Sequence, residues 1–163
     1  MESENNLDKV KINNEKYLTF SIDKEEYGIE ILKVKEIIGI TDITKVPGTS
    51  QYIKGVINLR GKIIPVIDFR IKAGFKFREY DDKTCIVIVE VKAMLIGIIV
   101  DRVNDVVNIK KESLDSIPEL GLKIASNYIQ AIGKIKDKII ILLNIENILS
   151  VDELESVQKV TAN

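Results

Sequence analysis

The side chains that most often do chemistry are scarce in this chain. It has no His, which removes the commonest general base and the commonest zinc ligand. Its single Cys, Cys85, lies in the apolar run Thr84-Cys85-Ile86-Val87-Ile88-Val89 with no base to serve it, and reads as a small core hydrophobe. One Cys also excludes an internal disulfide and any Cys-based metal cage. Paired carboxylates occur at Asp81-Asp82, Glu25-Glu26 and Asp152-Glu153, each at a turn or helix start where acids serve local needs. A catalytic pair needs two acids held apart across a cleft. Asp101 and Asp105 are spaced as a metal pair on a helix would be, but the segment is not helical and a solvated face is the simpler reading. Gly28, Gly39, Gly48, Gly55 and Gly61 are scattered and form no phosphate-cradling loop. What remains is Asn58-Leu59-Arg60-Gly61, which puts an apolar side chain and a guanidinium together at a hairpin tip. A guanidinium makes planar, forked contacts with a partner's carboxylate or backbone. The same four residues also make an ordinary turn with an exposed Arg. No catalytic residue, metal or cofactor is expected.

The elements that must position these residues follow from composition and pattern. The 163 residues, 18.4 kDa, are enough for one ordinary domain or two very small ones. Apolar residues make up 45% and include 30 Ile and 15 Val, stiff side chains that favour pleated surfaces. Basic and acidic residues number 24 and 25 and alternate, so no cluster of uncompensated cations is available for a nucleic-acid backbone. No aromatic platform sits beside a basic groove. No run of 18 uncharged apolar residues spans a membrane, and the start MESENNLDKV is polar and acidic, unlike a signal peptide. A cytoplasmic protein is expected.

Residues 1–14 read as a flexible arm. Strands are expected over Tyr17–Ile22, Tyr27–Ile31 and Val34–Ile40, with a turn at Asp23 to Glu26. Pro47-Gly48 marks a turn, and Thr49 or Ser50 could cap a helical turn through Tyr52 and Ile53. Val56–Leu59, Arg60-Gly61 and Lys62–Phe69 read as strand, turn, strand, with Pro65 placing the second at an edge or bulge. After a polar loop over 73–83, Thr84–Val91 and Met94–Val100 form a hairpin about Lys92-Ala93. Residues 109–122 look loop-like and Ile124–Ile129 suits a short helix. Ile139–Ile145 suits a buried strand. Ser150-Val151-Asp152-Glu153 is a capping box, and Leu149, Leu154, Val157 and Val160 have helical spacing.

The strongest pattern is internal. YIKGVINLRGKIIPVIDFR from Tyr52 aligns without gaps on YIQAIGKIKDKIIILLNIE from Tyr128, and YGIEILKVKEI from Tyr27 echoes IGIIVDRVNDV from Ile96 in the same order. Abundant Ile could make any two hairpins look alike, but the Tyr-Ile start and the turn placement also agree. A unit of roughly 60 residues buries only about 60% of its unfolded surface, so two copies gain by covering each other. Short strands without long alternating helices favour small barrels over a parallel α/β sheet.

EEYGIEILKVKEII (25–38), YIKGVINLRGKIIPVIDFR (52–70) and GIIVDRVNDVV (97–107) together resemble the CheW family of bacterial chemotaxis coupling proteins. The likeness runs from about Tyr17 to Leu149, and the Asn-Leu-Arg-Gly turn before a strand ending in Asp68 is its most specific part. It implies a mainly β fold: two small, SH3-like, five-stranded β-barrel subdomains packed together, with short helices and a C-terminal helix. It implies a domain over 15–150, with approximate repeat units 17–72 and 84–148, and a helix or tail over 151–163. Strand exchange would blur the barrel boundary. It implies a non-enzymatic adaptor that couples the cytoplasmic hairpin tips of chemoreceptors to the regulatory domain of the histidine kinase CheA. Membrane association would come only through receptor arrays. Carried over residue by residue, the receptor-binding candidates are Asn58, Leu59, Arg60, Gly61, Val103 and Val106, in a groove between the barrels. Ile31, Val34 and Glu36 are the kinase-binding candidates. Arg102 stands where relatives often have a small residue, which would make the groove edge more basic. Two other readings stay open: a small-barrel nucleic-acid-binding protein, which needs a concentrated basic face, and a free-standing kinase regulatory domain of the same fold.

Overall fold

The computed structural model describes residues 15–115 and 127–161, with side chains through Lys159. The expected arm over 1–14, residues 116–126 and the Val160 side chain lie outside the described residues; of the helix expected at Ile124–Ile129, residues 127–128 are instead a turn and Ile129 starts a strand, and the described half of the loop expected over 109–122 holds a 3-10 turn and a two-residue strand. Eleven strands among the described residues form two sheets. They are β1 (Lys16–Ile22), β2 (Glu25–Glu30), β3 (Val34–Gly39), β4 (Ile53–Leu59), β5 (Lys62–Asp68), β6 (Cys85–Val91), β7 (Met94–Val100), β8 (Arg102–Asn108), β9 (Leu114–Asp115), β10 (Ile129–Ile135) and β11 (Lys138–Leu143). Helix α1 (Phe69–Lys72) follows β5, and α2 (Val151–Thr161) lies at the C-terminal end.

The first sheet has the order β8-β1-β2-β11-β10-β9 and the second β3-β6-β7-β5-β4. The fold is mainly β and of the SH3-like kind expected. One sheet has six strands rather than five because two-residue β9 pairs with β10. Its counterpart in the second sheet is a single bridge, where Thr44 exchanges two 2.9 Å backbone bonds with Val56 of β4. In both halves the chain leaving one end strand returns to pair briefly at the opposite edge, which covers part of that edge.

Neither sheet is a continuous stretch of chain. β3 follows β2 of the first sheet but pairs with β6 of the second; β8 follows β7 of the second but pairs with β1 of the first. The crossing is reciprocal down to register. Val34 faces Val89 and Ile37 faces Val87 in one sheet, while Val103 faces Phe20 and Val106 faces Leu18 in the other. The hairpins match as well. Ile53 faces Ile67 as Ile129 faces Leu143, Leu59 faces Lys62 as Ile135 faces Lys138, and each pair carries the same irregularity after its first step.

Strand alternation builds the core at two levels. Ile57, Ile64, Val66, Ile86, Ile88 and Ile99 fill the second sheet, and Tyr17, Ile109, Ile140 and Leu142 fill the first. Residues of opposite parity, including Leu18, Phe20, Ile67, Val87 and Val89, form a larger shared core with Phe69, Ile145, Leu154 and Val157. Each fully buried Ile or Phe contributes about 1.5–3 kcal/mol, so the shared layer binds the halves into one body. Cys85 packs half-buried against that core.

Three local expectations are corrected. Residues 47–52 form turns, not a helical turn capped by Thr49 or Ser50; Ile53 N–H donates to the Ser50 carbonyl across 3.0 Å and starts β4 directly. Of the edge or bulge expected at Pro65, the edge strand is not found, since β5 lies between β4 and β7, while the irregularity of the β4–β5 pair lies one pair away from Val56–Pro65, between Ile53 and Gly55. Pro65 is tolerated because pairing with β7 starts one residue later, at Val66. The turn at Asp23 is shorter than expected, because β2 begins at Glu25. The C-terminal helix is present with its capping box. Ser150 N–H donates to Glu153 Oε1 (2.9 Å) and Glu153 N–H to Ser150 Oγ (3.2 Å).

Candidate protein-docking surface

The Asn58-Leu59-Arg60-Gly61 turn is built by backbone geometry first. Arg60 and Gly61 have φ of 52° and 86°, the left-handed pair that a two-residue hairpin loop needs to match strand twist. Asn58 Oδ1 accepts from Gly61 N–H at 2.9 Å and locks the loop. The turn thereby holds the Arg60 side chain at the tip, 70% exposed.

That side chain is committed within the chain. Arg60 Nη1 and Nη2 donate to Glu36 Oε1 (3.0 Å) and Oε2 (2.6 Å) in a forked pair that ties the β4–β5 hairpin to β3. The hydrogen bonds hold the Glu36 carboxyl below the usual carboxylate range and push Arg60 up. Beside them a groove of about 570 Å³ runs across the second sheet. Half-buried Leu59 and Leu95, with the buried Ile64 and Ile88 beneath them, give it an apolar floor, and Lys35, Glu36, Arg60, Lys62 and Glu90 a charged rim. Lys35 and Glu90 form a second rim pair at 3.1 Å. A groove of this kind takes an amphipathic helix: apolar side chains below, charged ones at the edges.

The other candidates sit elsewhere. Val103 and Val106 lie on β8 of the first sheet and do not line this groove. Val103 packs half-buried on the shared core, whereas Val106 is 45% exposed. Ile31 and Val34 also pack half-buried on that core. Their exposed neighbours are Leu32 at 56% and Ile37 at 41%. Glu36, assigned with Ile31 and Val34 to one surface, is thus bonded to Arg60, assigned to the other. Leu32, Ile37, Lys35, Ile88 and Leu95 were not singled out from sequence. The signal for Ile37 is parity: on a strand that turns Val34 inward before a register shift, the next outward positions carry the accessible side chains.

The carboxylates that might have suggested catalysis are absorbed by structure. Buried Asp68 accepts from the Tyr80 hydroxyl (2.8 Å) and the Arg70 and Ile71 amides. Arg70 binds Asp23 at 2.7 Å and Asp101 at 2.8 Å, and its hydrogen bond lowers the Asp23 pKa. Asp81 receives the Lys83 and Thr84 amides. Asp105 accepts from the Val106 amide at 2.8 Å. Among the described residues no group of three or more acidic or Cys side chains is arranged to hold a metal ion, and no helix is long and apolar enough to cross a membrane.

A family model of the CheW-like domain matches residues 16–153. The chemotaxis protein CheW of Klebsiella aerogenes is 38% identical over 146 residues, covering 90% of this chain and 88% of its own length. That of Bacillus subtilis is 34% identical over 142 residues, covering 87% and 91%. The crystal structure of the scaffolding protein TtCheW from Thermoanaerobacter tengcongensis superposes with a TM-score of 0.79 at 36% identity, over 86% of this chain and 95% of that one. With the fold, the hairpin and the matched length in agreement, the chain belongs to the CheW family of non-enzymatic chemotaxis scaffold and adaptor proteins.

Proposed function

We propose that this protein works in the cytoplasm and couples the hairpin tips of chemoreceptors to the regulatory domain of CheA, transmitting signal through protein contacts alone. The observation that carries the reading is the groove on the second sheet, an apolar floor with Arg60 presented at its rim. A receptor tip is a helical hairpin, and laying it in this groove buries Leu59 and Leu95 while Arg60 sets its orientation. Asn58 and Gly61 act by holding the turn. Val103 and Val106 extend the receptor surface onto the first sheet, with Val106 the accessible member. The kinase takes the Ile31–Glu36 segment and the adjoining Ile37, where Ile31 and Val34 set the backbone against the core and Leu32 and Ile37 supply the contact.

The test is a pair of titrations, against a receptor signalling fragment and against the CheA regulatory domain. Arg60→Ala is expected to weaken receptor binding by about 1–3 kcal/mol, the range of a central anchor. Ile37→Glu is expected to weaken kinase binding and spare the fold, because the side chain is exposed. Unchanged receptor affinity in the first variant rejects the receptor assignment. Loss of receptor affinity alone in the second shows that the surface is divided differently.

A further inference from the structure

The packing of the C-terminal helix contains a feature that the scaffold reading does not use. Lys72, the last residue of α1, is a cation with only 16% of its side chain exposed. Its ammonium lies 4.3 Å from the Tyr52 ring centroid and 5.8 Å from that of Tyr128. These two tyrosines occupy matching positions in the duplicated hairpins, each with its carbonyl receiving an amide at the end of the second strand: Asp68 N to Tyr52 O at 2.7 Å and Asn144 N to Tyr128 O at 2.8 Å. Lys72 therefore stands where the two halves meet. Its own counterpart in the second half is Ile148, fully buried. A lysine where the other half carries a core isoleucine is costly to bury, and its pKa is lowered by that burial.

Across the ammonium, at 3.6 Å, is Glu153 Oε1 in the first turn of α2. This oxygen also accepts the Ser150 amide of the capping box, while Glu153 Oε2 is buried without a hydrogen-bond partner among the described residues. The helix packs against β5 and places Leu154 and Val157 in the shared core. Both sheets complete their strand pairing without it. An under-satisfied buried carboxylate weakens the docked state relative to one in which α2 is lifted and Glu153 is hydrated.

We propose that α2 is a detachable strap, tied over the junction of the two halves by the Lys72–Glu153 contact, and that it lifts without either sheet unfolding. Lifting bares Leu154 and Val157 and the surface they cover, and hydrates Lys72 and Glu153 together. Local opening of this kind is how a packed fold supplies a conformational variable at low cost.

Amide hydrogen exchange read by mass spectrometry on the full chain tests it. In the unmodified protein, residues 153–161 are expected to exchange at least about tenfold faster than β5 and β7, the signature of sub-global opening. Lys72→Met keeps the aliphatic stem and leaves the capping box intact, and should speed exchange in the helix a further tenfold or so with the sheets unchanged. Glu153→Gln retains an oxygen for the Ser150 amide and should act the same way. Equal protection of helix and sheets in the unmodified protein overturns the proposal. So does unchanged helix exchange in either variant, or a loss of protection spread over both sheets.

Discussion

The same backbone carries an open groove on one sheet and a polar seam on the other. On the second sheet, Ile88 and Leu95 join Leu59 and Ile64 to make an apolar floor. The matching positions on β1 and β2 of the first sheet are Thr19 and Glu26, in the same register. There Asn104 Nδ2 donates to Ser21 Oγ at 2.7 Å and to Glu26 Oε1 at 3.3 Å, bridging the strands where the other sheet has its groove. Thr19, fully buried, donates to the Asp105 carbonyl (3.0 Å) and accepts the Asp105 amide (3.2 Å), filling the irregularity between β1 and β8. Lys136 sits at the hairpin tip with φ of 53°, as Arg60 does, yet has no ion-pair partner among the described residues. The duplicated scaffold thus tolerates either surface, and a few side chains decide which face can receive a partner's apolar helix.

The comparison can be broken most severely at Gly55. Its φ is 145°, and a Cβ there would run into the Thr44 carbonyl that closes the second sheet. Its counterpart Ala131 already carries a Cβ. Gly55→Ala should cost roughly 3 kcal/mol or more, against about 1 kcal/mol for Ala131→Gly. Urea unfolding of the two variants checks this, and similar midpoints would mean that the closures are equivalent after all. Next in size is the transplant Leu95→Glu, which gives the groove the first sheet's residue. Receptor-fragment affinity should fall by about 2 kcal/mol, while the reverse change Glu26→Leu leaves it unaltered. Calorimetric titration in which both variants bind alike would show that the apolar floor is not the receptor surface.

A smaller difference concerns the caps after the second strand of each hairpin. Asp68 and Asn144 both accept the amide two residues on, from Arg70 at 2.9 Å and Glu146 at 3.2 Å, but only Asp68 is buried and bonded by Tyr80. Tyr80→Phe should cost about 1–2 kcal/mol by leaving the buried Asp68 Oδ2 without its donor, and Asn144→Ala about 1 kcal/mol as a lost cap. Thermal melts of both place the halves in order. The smallest effect is electrostatic. Glu36 has a folded-state pKa depressed by Arg60, so its pairing is present above the ordinary carboxylate range and fades as pH falls through the lowered value. Both groups are exposed, and stability should hardly register it. Carbon-detected NMR titration should show the Glu36 midpoint rising toward the ordinary carboxylate range in Arg60→Ala; an unmoved midpoint would mean that the forked pair does not persist in solution.

Local chemistry made much of this readable in advance. Period-two alternation and Gly, Asn and Pro positions place β1, β5, β6, β7 and the turns at Arg60-Gly61 and Lys92-Ala93 close to where they are found. Ser150 and Glu153 announce the helix cap. The absence of His and the dispersal of the acids pointed away from catalysis. Pro65 signalled an edge or a bulge without choosing between them, because a missing donor says only that one backbone hydrogen bond is unused; the irregularity lies beside it in the β4–β5 pair, and β5 is not an edge strand. Ile31 and Val34 come from a family pattern, and the pattern carries neither the 3-10 turn over Ile31–Lys33 nor the alternation along β3 that together leave these two half-buried and Leu32 and Ile37 exposed.

The sequence by itself determined what neighbours along the chain determine: strand period, turn chirality, the doubled hairpin and the lack of reactive groups. Only the tertiary structure decided the reciprocal crossing of β3 and β8, the Arg60–Glu36 clamp, the place of Lys72 between Tyr52 and Tyr128, and which sheet keeps an open apolar face. The reason is physical. Turns and alternation depend on residues a few steps apart, whereas these features pair side chains from distant segments, and the choice among such pairings is made by how a shared core packs.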